Sequence, residues 1–159
     1  MDYLWSPWRY QYISNIRKAN RCVFCVDSSG ERDPEDFIVF RGRWNFVILN
    51  IFPYTSGHLL IAPYEHTANF QAFPIEQLTE MLELAKLGQS AIEQTYHPDG
   101  FNIGMNLGQS AGAGVAQHLH LHVVPRWAGD ANFMTIVSET RVLPEELKST
   151  YEKLKRHFS

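Results

Sequence analysis

Short apolar runs separated by turn residues fill the first third of the body of the chain. Phe37-Ile38-Val39-Phe40 reads as a strand, Arg41-Gly42 turns the chain, and Trp44 to Leu49 reads as its hairpin partner. His58-Leu59-Leu60-Ile61-Ala62 is a third short run. Pro74 then opens a helix, where its missing N–H costs nothing in a first turn. Leu78, Leu82, Ala85 and Ile92 recur at helical spacing, with Met81 and Leu84 widening the stripe. The helix is expected to stop near Tyr96, because Pro98 and Gly100 follow. Beyond it, Phe101 to Leu107 predicts a strand, Gly108 to Gly114 a loop of small residues, and His118 to Val124 a strand ended by Pro125. Phe133 to Val137 is a further short strand candidate, and Pro144 starts a last helix with the stripe Leu147, Tyr151, Leu154 and Phe158. Adjacent strands on short turns favour an antiparallel sheet, so the expected class is α+β with one long central and one C-terminal helix.

The chain has 159 residues, which fits a single domain over 1–159. The polar, turn-rich stretch Asp27 to Pro34 divides it into an N-terminal arm, residues 1–36, and a body, residues 37–159. With 45% apolar and 19% charged residues the composition is globular. A net charge of −3 argues against a broad basic face and so against nonspecific nucleic-acid binding. No apolar run approaches the roughly 18 residues that cross a bilayer, and Met1-Asp2-Tyr3-Leu4-Trp5 lacks the basic start of a secretory signal. The only two cysteines, Cys22 and Cys25, fit a reducing cytoplasm better than a disulfide framework. A Cys-x-x-Cys pair is half a zinc site, a redox pair or simply two small apolar residues.

Three of the seven histidines fall within five positions, His118-Leu119-His120-Leu121-His122. On a strand all three imidazoles would share one face, neighbours about 6.6 Å apart. That pattern suits an exposed polar face, a metal-binding face or a nucleophilic centre, although a random polar face would mix in Lys, Thr or Glu. Just upstream, Gly104 to Gly114 holds four glycines in eleven residues, a loop whose backbone N–H groups can approach an anion closely. Neutral imidazole is a nucleophile near pH 7 and can carry a transferred phosphoryl or nucleotidyl group.

His118-Leu119-His120-Leu121-His122-Val123-Val124 resembles the signature of the HIT (histidine triad) family of nucleotide hydrolases and transferases. Gly57-His58-Leu59-Leu60-Ile61-Ala62-Pro63 is similar to that family's upstream Gly-His-strand-Pro segment. Three further segments resemble its bacterial diadenosine tetraphosphate phosphorylase branch. They are Leu4-Trp5-Ser6-Pro7-Trp8-Arg9 with Tyr12-Ile13, Cys22-Val23-Phe24-Cys25, and His118 through Pro125-Arg126-Trp127 to Phe133. The resemblance implies a HIT-like fold and a homodimer sharing a continuous sheet. It makes His120 the nucleophile, with His122 and His58 bonding phosphate or bridging oxygens. Asn50 would bind ribose, while Asn106, Ser110 and the loop amides around Gly112 and Gly114 would hold phosphate. Cys22, Cys25, His66 and His118 would form a structural zinc site. The implied substrate is a dinucleoside polyphosphate, with inorganic phosphate as acceptor giving ATP and ADP from diadenosine tetraphosphate. The competing expectations are a nucleotide hydrolase or nucleoside phosphoramidase using water, and a zinc-stabilised nucleotide-binding module. One departure bears on the choice. Hydrolytic members usually carry Gln and then Ser or Thr where this chain has Gly114 and Val115.

Overall fold

A computed structural model describes residues 22–130 and 145–158. Strands β1 (Ile38–Arg41), β2 (Asn45–Leu49), β3 (Leu59–Pro63), β4 (Gly100–Met105) and β5 (Leu121–Arg126) form one sheet in the order β1-β2-β3-β5-β4. Every neighbouring pair is antiparallel. A one-turn helix α1 (Asp33–Asp36) precedes the sheet, the long helix α2 (Ile75–Tyr96) joins β3 to β4, and α3 (Leu147–Lys155) comes last. The α+β class and the antiparallel sheet expected from the strand spacing are what the chain adopts.

The period-2 alternation sends side chains to two different cores. Val47, Leu49, Leu59, Ile61, Leu121 and Val123 pack with Met81, Leu84, Ala85 and Ile92 of α2. The intervening Phe46, Ile48, Leu60 and Ala62 pack on the opposite face with Phe24 of the N-terminal arm. Register pairs of like residues, Val47↔Ile61 and Ile48↔Leu60, keep the two sets apart. The sheet is therefore covered on both sides, by a helix on one and by the arm on the other.

Two polar devices fix the first hairpin. The Glu80 carboxylate of α2 accepts from the backbone N–H groups of Arg43, Trp44 and Asn45 and from Asn45 Nδ2, at 2.6–2.9 Å. Arg41 donates to both oxygens of Asp33 at 2.7–3.0 Å, which pins α1 to β1. A charge-assisted, bidentate pair of this kind holds geometry as well as energy.

Three expectations are corrected. Leu82 is 56% exposed; the buried face of α2 runs through Met81, Leu84, Ala85, Gly88 and Ile92. At 100° per residue, the residues read as widening the stripe are its centre, and Leu82 falls off its edge. Strand β5 begins at Leu121 rather than His118, and it runs through Pro125 to Arg126. Proline is accommodated because pairing with β3 ends at Val123, so beyond it β5 is bonded to β4 alone. Strand β4 ends at Met105, two residues short of Leu107. The expected strand Phe133 to Val137, Pro144, and the motif Leu4 to Ile13 lie outside the described residues.

Candidate active site and metal centre

The three triad histidines do not share one strand face. His122 lies on β5, while His118 stands at a bend and His120 in the irregular segment leading into the strand. That segment is held by Leu119 N–H on the Thr67 carbonyl and by His118 N–H on the Val115 carbonyl, at 2.8 and 3.4 Å. His118 turns toward Cys22 and His66, whereas His120 and His122 line a common cleft.

A chain of hydrogen bonds sets the tautomers, which follow from the donors and acceptors around each ring. His120 Nδ1 stands 2.8 Å from the carbonyl oxygen of His118. A carbonyl only accepts, so Nδ1 carries the proton and Nε2 keeps its lone pair. His58 Nδ1 accepts from the backbone N–H of Tyr54 at 3.2 Å, and Asn50 Nδ2 lies at the same distance. His58 Nε2 is therefore the protonated nitrogen, and it donates to His122 Nδ1 across 3.0 Å. The proton of His122 must then sit on Nε2, a buried nitrogen with no hydrogen-bond partner among the described residues. A buried donor left unpaired costs about 1–3 kcal/mol unless something fills it.

Burial keeps the His120 and His122 rings neutral. It pushes His120 below the ordinary histidine value, and it takes His122, with the neighbouring His120 adding to the effect, down to about 4. Both imidazoles are thus uncharged bases at neutral pH.

The cleft has a volume of about 780 Å³. Its walls combine apolar Val26, Phe37, Ile48 and Leu60 with Asn50, Tyr54, Gly112, Gly114 and Val115, and with His120 and His122. An apolar slot with a few convergent polar groups is the usual form of a small-molecule site. A second cleft of about 360 Å³ meets the first at Tyr54 and His122, and it is lined by Asn102, Gly104, Asn106 and Arg126. The geometry thus gathers His58, His120, His122, Asn50, Gly112 and Gly114, and it puts Asn106 in the second cleft. Ser110 lies on an exposed one-turn 3₁₀ segment, Gln109–Ala111, in the wall of neither.

Gly57 positions His58. Its φ is +83°, and a Cβ there would stand 3.1 Å from the Tyr96 ring. Only glycine meets both demands.

Cys22, Cys25, His66 and His118 place one ligand atom each within 4.8 Å of one another. Cys22 Sγ to His118 Nδ1 is 3.5 Å, Cys25 Sγ to His66 Nδ1 is 3.3 Å, and the two histidine Nδ1 atoms are 3.2 Å apart. Zinc bonds of about 2.3 Å to sulfur and 2.0–2.1 Å to nitrogen give tetrahedral edges of about 3.5 and 3.3 Å. The donors fit that ion. The other nitrogen of His118 bonds the Pro63 carbonyl at 2.8 Å, the outer contact that fixes a metal-binding histidine. Burial raises the Cys22 thiol above its ordinary value, a tendency that a bound cation reverses.

Sequence reasoning gave no role to two residues found here. Phe24, between the cysteines, packs its ring on both His118 and His120, at 5.3 and 4.8 Å between centroids. Tyr54 supplies the N–H on His58 and stacks nearly parallel to His122, 6.0 Å away. The Cys-x-Phe-Cys order held a signal for Phe24; nothing local marked Tyr54.

The sequence matches the HIT domain family over residues 31–129. The chain belongs to the HIT family. The AP-4-A phosphorylase of Mycobacterium tuberculosis is 36% identical over 154 residues, covering 92% of this chain and 79% of that protein. The crystal structure of a zinc-bound histidine triad family protein from Mycobacterium smegmatis superposes with a TM-score of 0.66 at 30% identity, covering 86% of this chain and 91% of that one. A HIT family member from Bacillus subtilis gives a TM-score of 0.58 at 25% identity, over 88% of this chain and 99% of that one. Among the described residues of this HIT protein, no helix is long and apolar enough to cross a membrane.

Proposed function

We propose that this HIT protein is a nucleotidyl transferase that cleaves dinucleoside polyphosphates by phosphorolysis, converting diadenosine tetraphosphate and phosphate to ATP and ADP. The observation that carries the reading is His120. Its Nδ1–H is tied to the His118 carbonyl, so the lone pair on Nε2 is presented by a ring that lines the cleft. A group positioned to bind alone needs no such arrangement; a nucleophile does.

In the first displacement His120 Nε2 attacks the α-phosphorus and a P–N bond forms. The bond from phosphorus to the bridging oxygen breaks, and its electron pair leaves with ATP. The Nε2–H of His122 bonds the departing oxygen, which gives that unpaired donor its partner and stabilises charge as it develops. In the second displacement an oxygen of inorganic phosphate attacks the same phosphorus, Nε2 leaves, and ADP forms. Gly112 and Gly114 offer backbone near the phosphates, with Asn106 in the second cleft as a further candidate ligand. Asn50 faces the ribose while its Oδ1 holds the Phe52 N–H and its Nδ2 lies against His58. A zinc ion on Cys22, Cys25, His66 and His118 would be structural, since four protein ligands leave no open position.

Phosphate is favoured over water by what surrounds the scissile phosphate. Gly114 and Val115 stand where hydrolytic relatives usually present polar side chains, so these two positions offer no polar side chain to orient a water. The same reading includes a homodimer joined through β4, an edge strand whose Ile103 is 45% exposed. It places the protein in the cytoplasm, where a thiol pair stays reduced.

The test is chromatography of products from diadenosine tetraphosphate at matched ionic strength, with sulfate replacing phosphate in the control. Phosphate-dependent release of ATP plus ADP is expected. If ATP plus AMP dominate at millimolar phosphate and the rate ignores phosphate, the enzyme is a hydrolase.

A further inference from the structure

Gly104 occupies the middle of β4, where glycine weakens a strand. No backbone or packing demand explains it. Its φ lies outside the left-handed region, and a Cβ built there would find no atom of the described residues within 4 Å. It is registered directly opposite His122, so the absent side chain would project from the same face of the sheet as that imidazole. That face is the second cleft, of about 360 Å³. Glycine inside a strand with open space above it marks a place where something else approaches the backbone.

The other end of this cleft holds a positioned cation. The Asp130 carboxylate takes Arg126 Nε and one terminal nitrogen at 2.6 and 2.8 Å, and Asn102 Oδ1 takes the other at 2.6 Å. Among the described residues these bonds occupy three of the five N–H donors of a guanidinium, which leaves two for an anion.

Stereochemistry says which anion. An in-line displacement puts the leaving group opposite the nucleophile. When the same histidine is then displaced in line, the acceptor must enter from the side the leaving group vacated. His120 belongs to the first cleft only, and His122 is shared by both. We propose that the second cleft is one seat used twice, by the polyphosphate of the leaving nucleotide and then by the acceptor phosphate, and that Gly104 sets how large an occupant it admits. The proposal rests on the nucleotidyl-transfer reading above. Both occupants are phosphoryl anions, one ending in a nucleoside and one free, and the experiment separates them.

The experiment uses wild type, Gly104→Ala and Gly104→Val. The first arm follows single-turnover adenylylation of His120 without phosphate, from diadenosine tetraphosphate and from adenosine 5′-phosphoramidate, whose leaving group is only ammonia. The second arm follows discharge of the isolated adenylyl-enzyme by phosphate and by water. Gly104→Val is expected to lower the rate ratio of large to small leaving group at least tenfold, with Gly104→Ala between. The ratio of phosphate to water discharge should fall in the same order. Melting temperature should hold or rise, since a β-branched residue suits a strand. Equal losses with both leaving groups, or ratios within twofold of wild type, would overturn the proposal. So would a change of oligomeric state in Gly104→Val, which would mean that a second chain fills the space. A leaving-group effect without an acceptor effect would overturn the shared seat. If wild type never labels His120, the nucleotidyl-transfer reading itself falls, and this proposal with it.

Discussion

His58 Nε2 stands 3.0 Å from His122 Nδ1, and that contact decides which nitrogen of His122 carries its proton. With the bond in place, His122 presents an N–H to the substrate; without it, the ring is free to present a lone pair toward the departing oxygen instead. We expect His58→Ala to lower kcat for diadenosine tetraphosphate 10- to 100-fold, corresponding to about 1.4–2.7 kcal/mol, with KM changed less. His58→Gln, which restores a donor, should recover part of the loss. Steady-state kinetics of the two variants check this.

His120→Ala should abolish the covalent intermediate and cost several orders of magnitude in turnover, because a nucleophile acts as part of a unit. Nucleotide binding should survive, since the apolar walls of the cleft are untouched. Acid-labile, base-stable label on the wild-type protein, and its absence from the variant, is the readout. Turnover within about tenfold of wild type, only about 1.4 kcal/mol, would remove His120 from the role.

Purification without added metal or chelator should give about one zinc per chain, as expected for a closed two-Cys, two-His site. Cys22→Ser and His66→Ala should lower both the zinc content and the melting temperature. Elemental analysis beside thermal unfolding tests both statements, and full zinc in Cys22→Ser would put the ion elsewhere.

The low His122 value has a sign. Folded, the ring titrates at about 4; unfolded, it titrates near 6.5. Between those values the unfolded chain binds the extra proton, so stability is full above about pH 6.5 and declines as pH falls toward 4. The difference amounts to at most about 3 kcal/mol. Replacing His122 with Gln should flatten the melting-temperature profile across this window, while both proteins still unfold at lower pH as carboxylates titrate. Parallel profiles for the two proteins would contradict the assignment.

Much of this was legible from residues alone. The sheet, the long helix and its end at Tyr96 followed from period-2 and period-3.6 patterns, which are local. The metal quartet was legible through resemblance, since no spacing rule connects Cys22 to His66. What escaped is what depends on three dimensions. Leu82 was misread because periodicity gives a stripe but not its centre. The resemblance had already set His118 apart as a metal ligand, but the single strand face expected for the triad failed because His118 and His120 precede the strand. Ser110 sits in a glycine-rich segment, and composition cannot say which side of a loop faces the cleft. Tyr54 donates its backbone N–H to His58, to which a side chain gives no clue, and its ring meets His122 only once β5 is in the sheet.

The strand order carries a consequence for how the protein comes into being. Among the described residues β5 is the last strand in the chain, yet it lies inside the sheet, between β3 and β4. Its partners Leu60 and His122 meet only after a long loop closes, a slow, entropically costly event compared with hairpin formation. Until then His58 has no His122 to bond, and β3 and β4 each keep an open edge. The contact that completes the sheet is also the one that brings the histidines together. Folding and the acquisition of chemistry are therefore expected to share one rate-limiting step, and a nascent chain stalled before Arg126 should have neither.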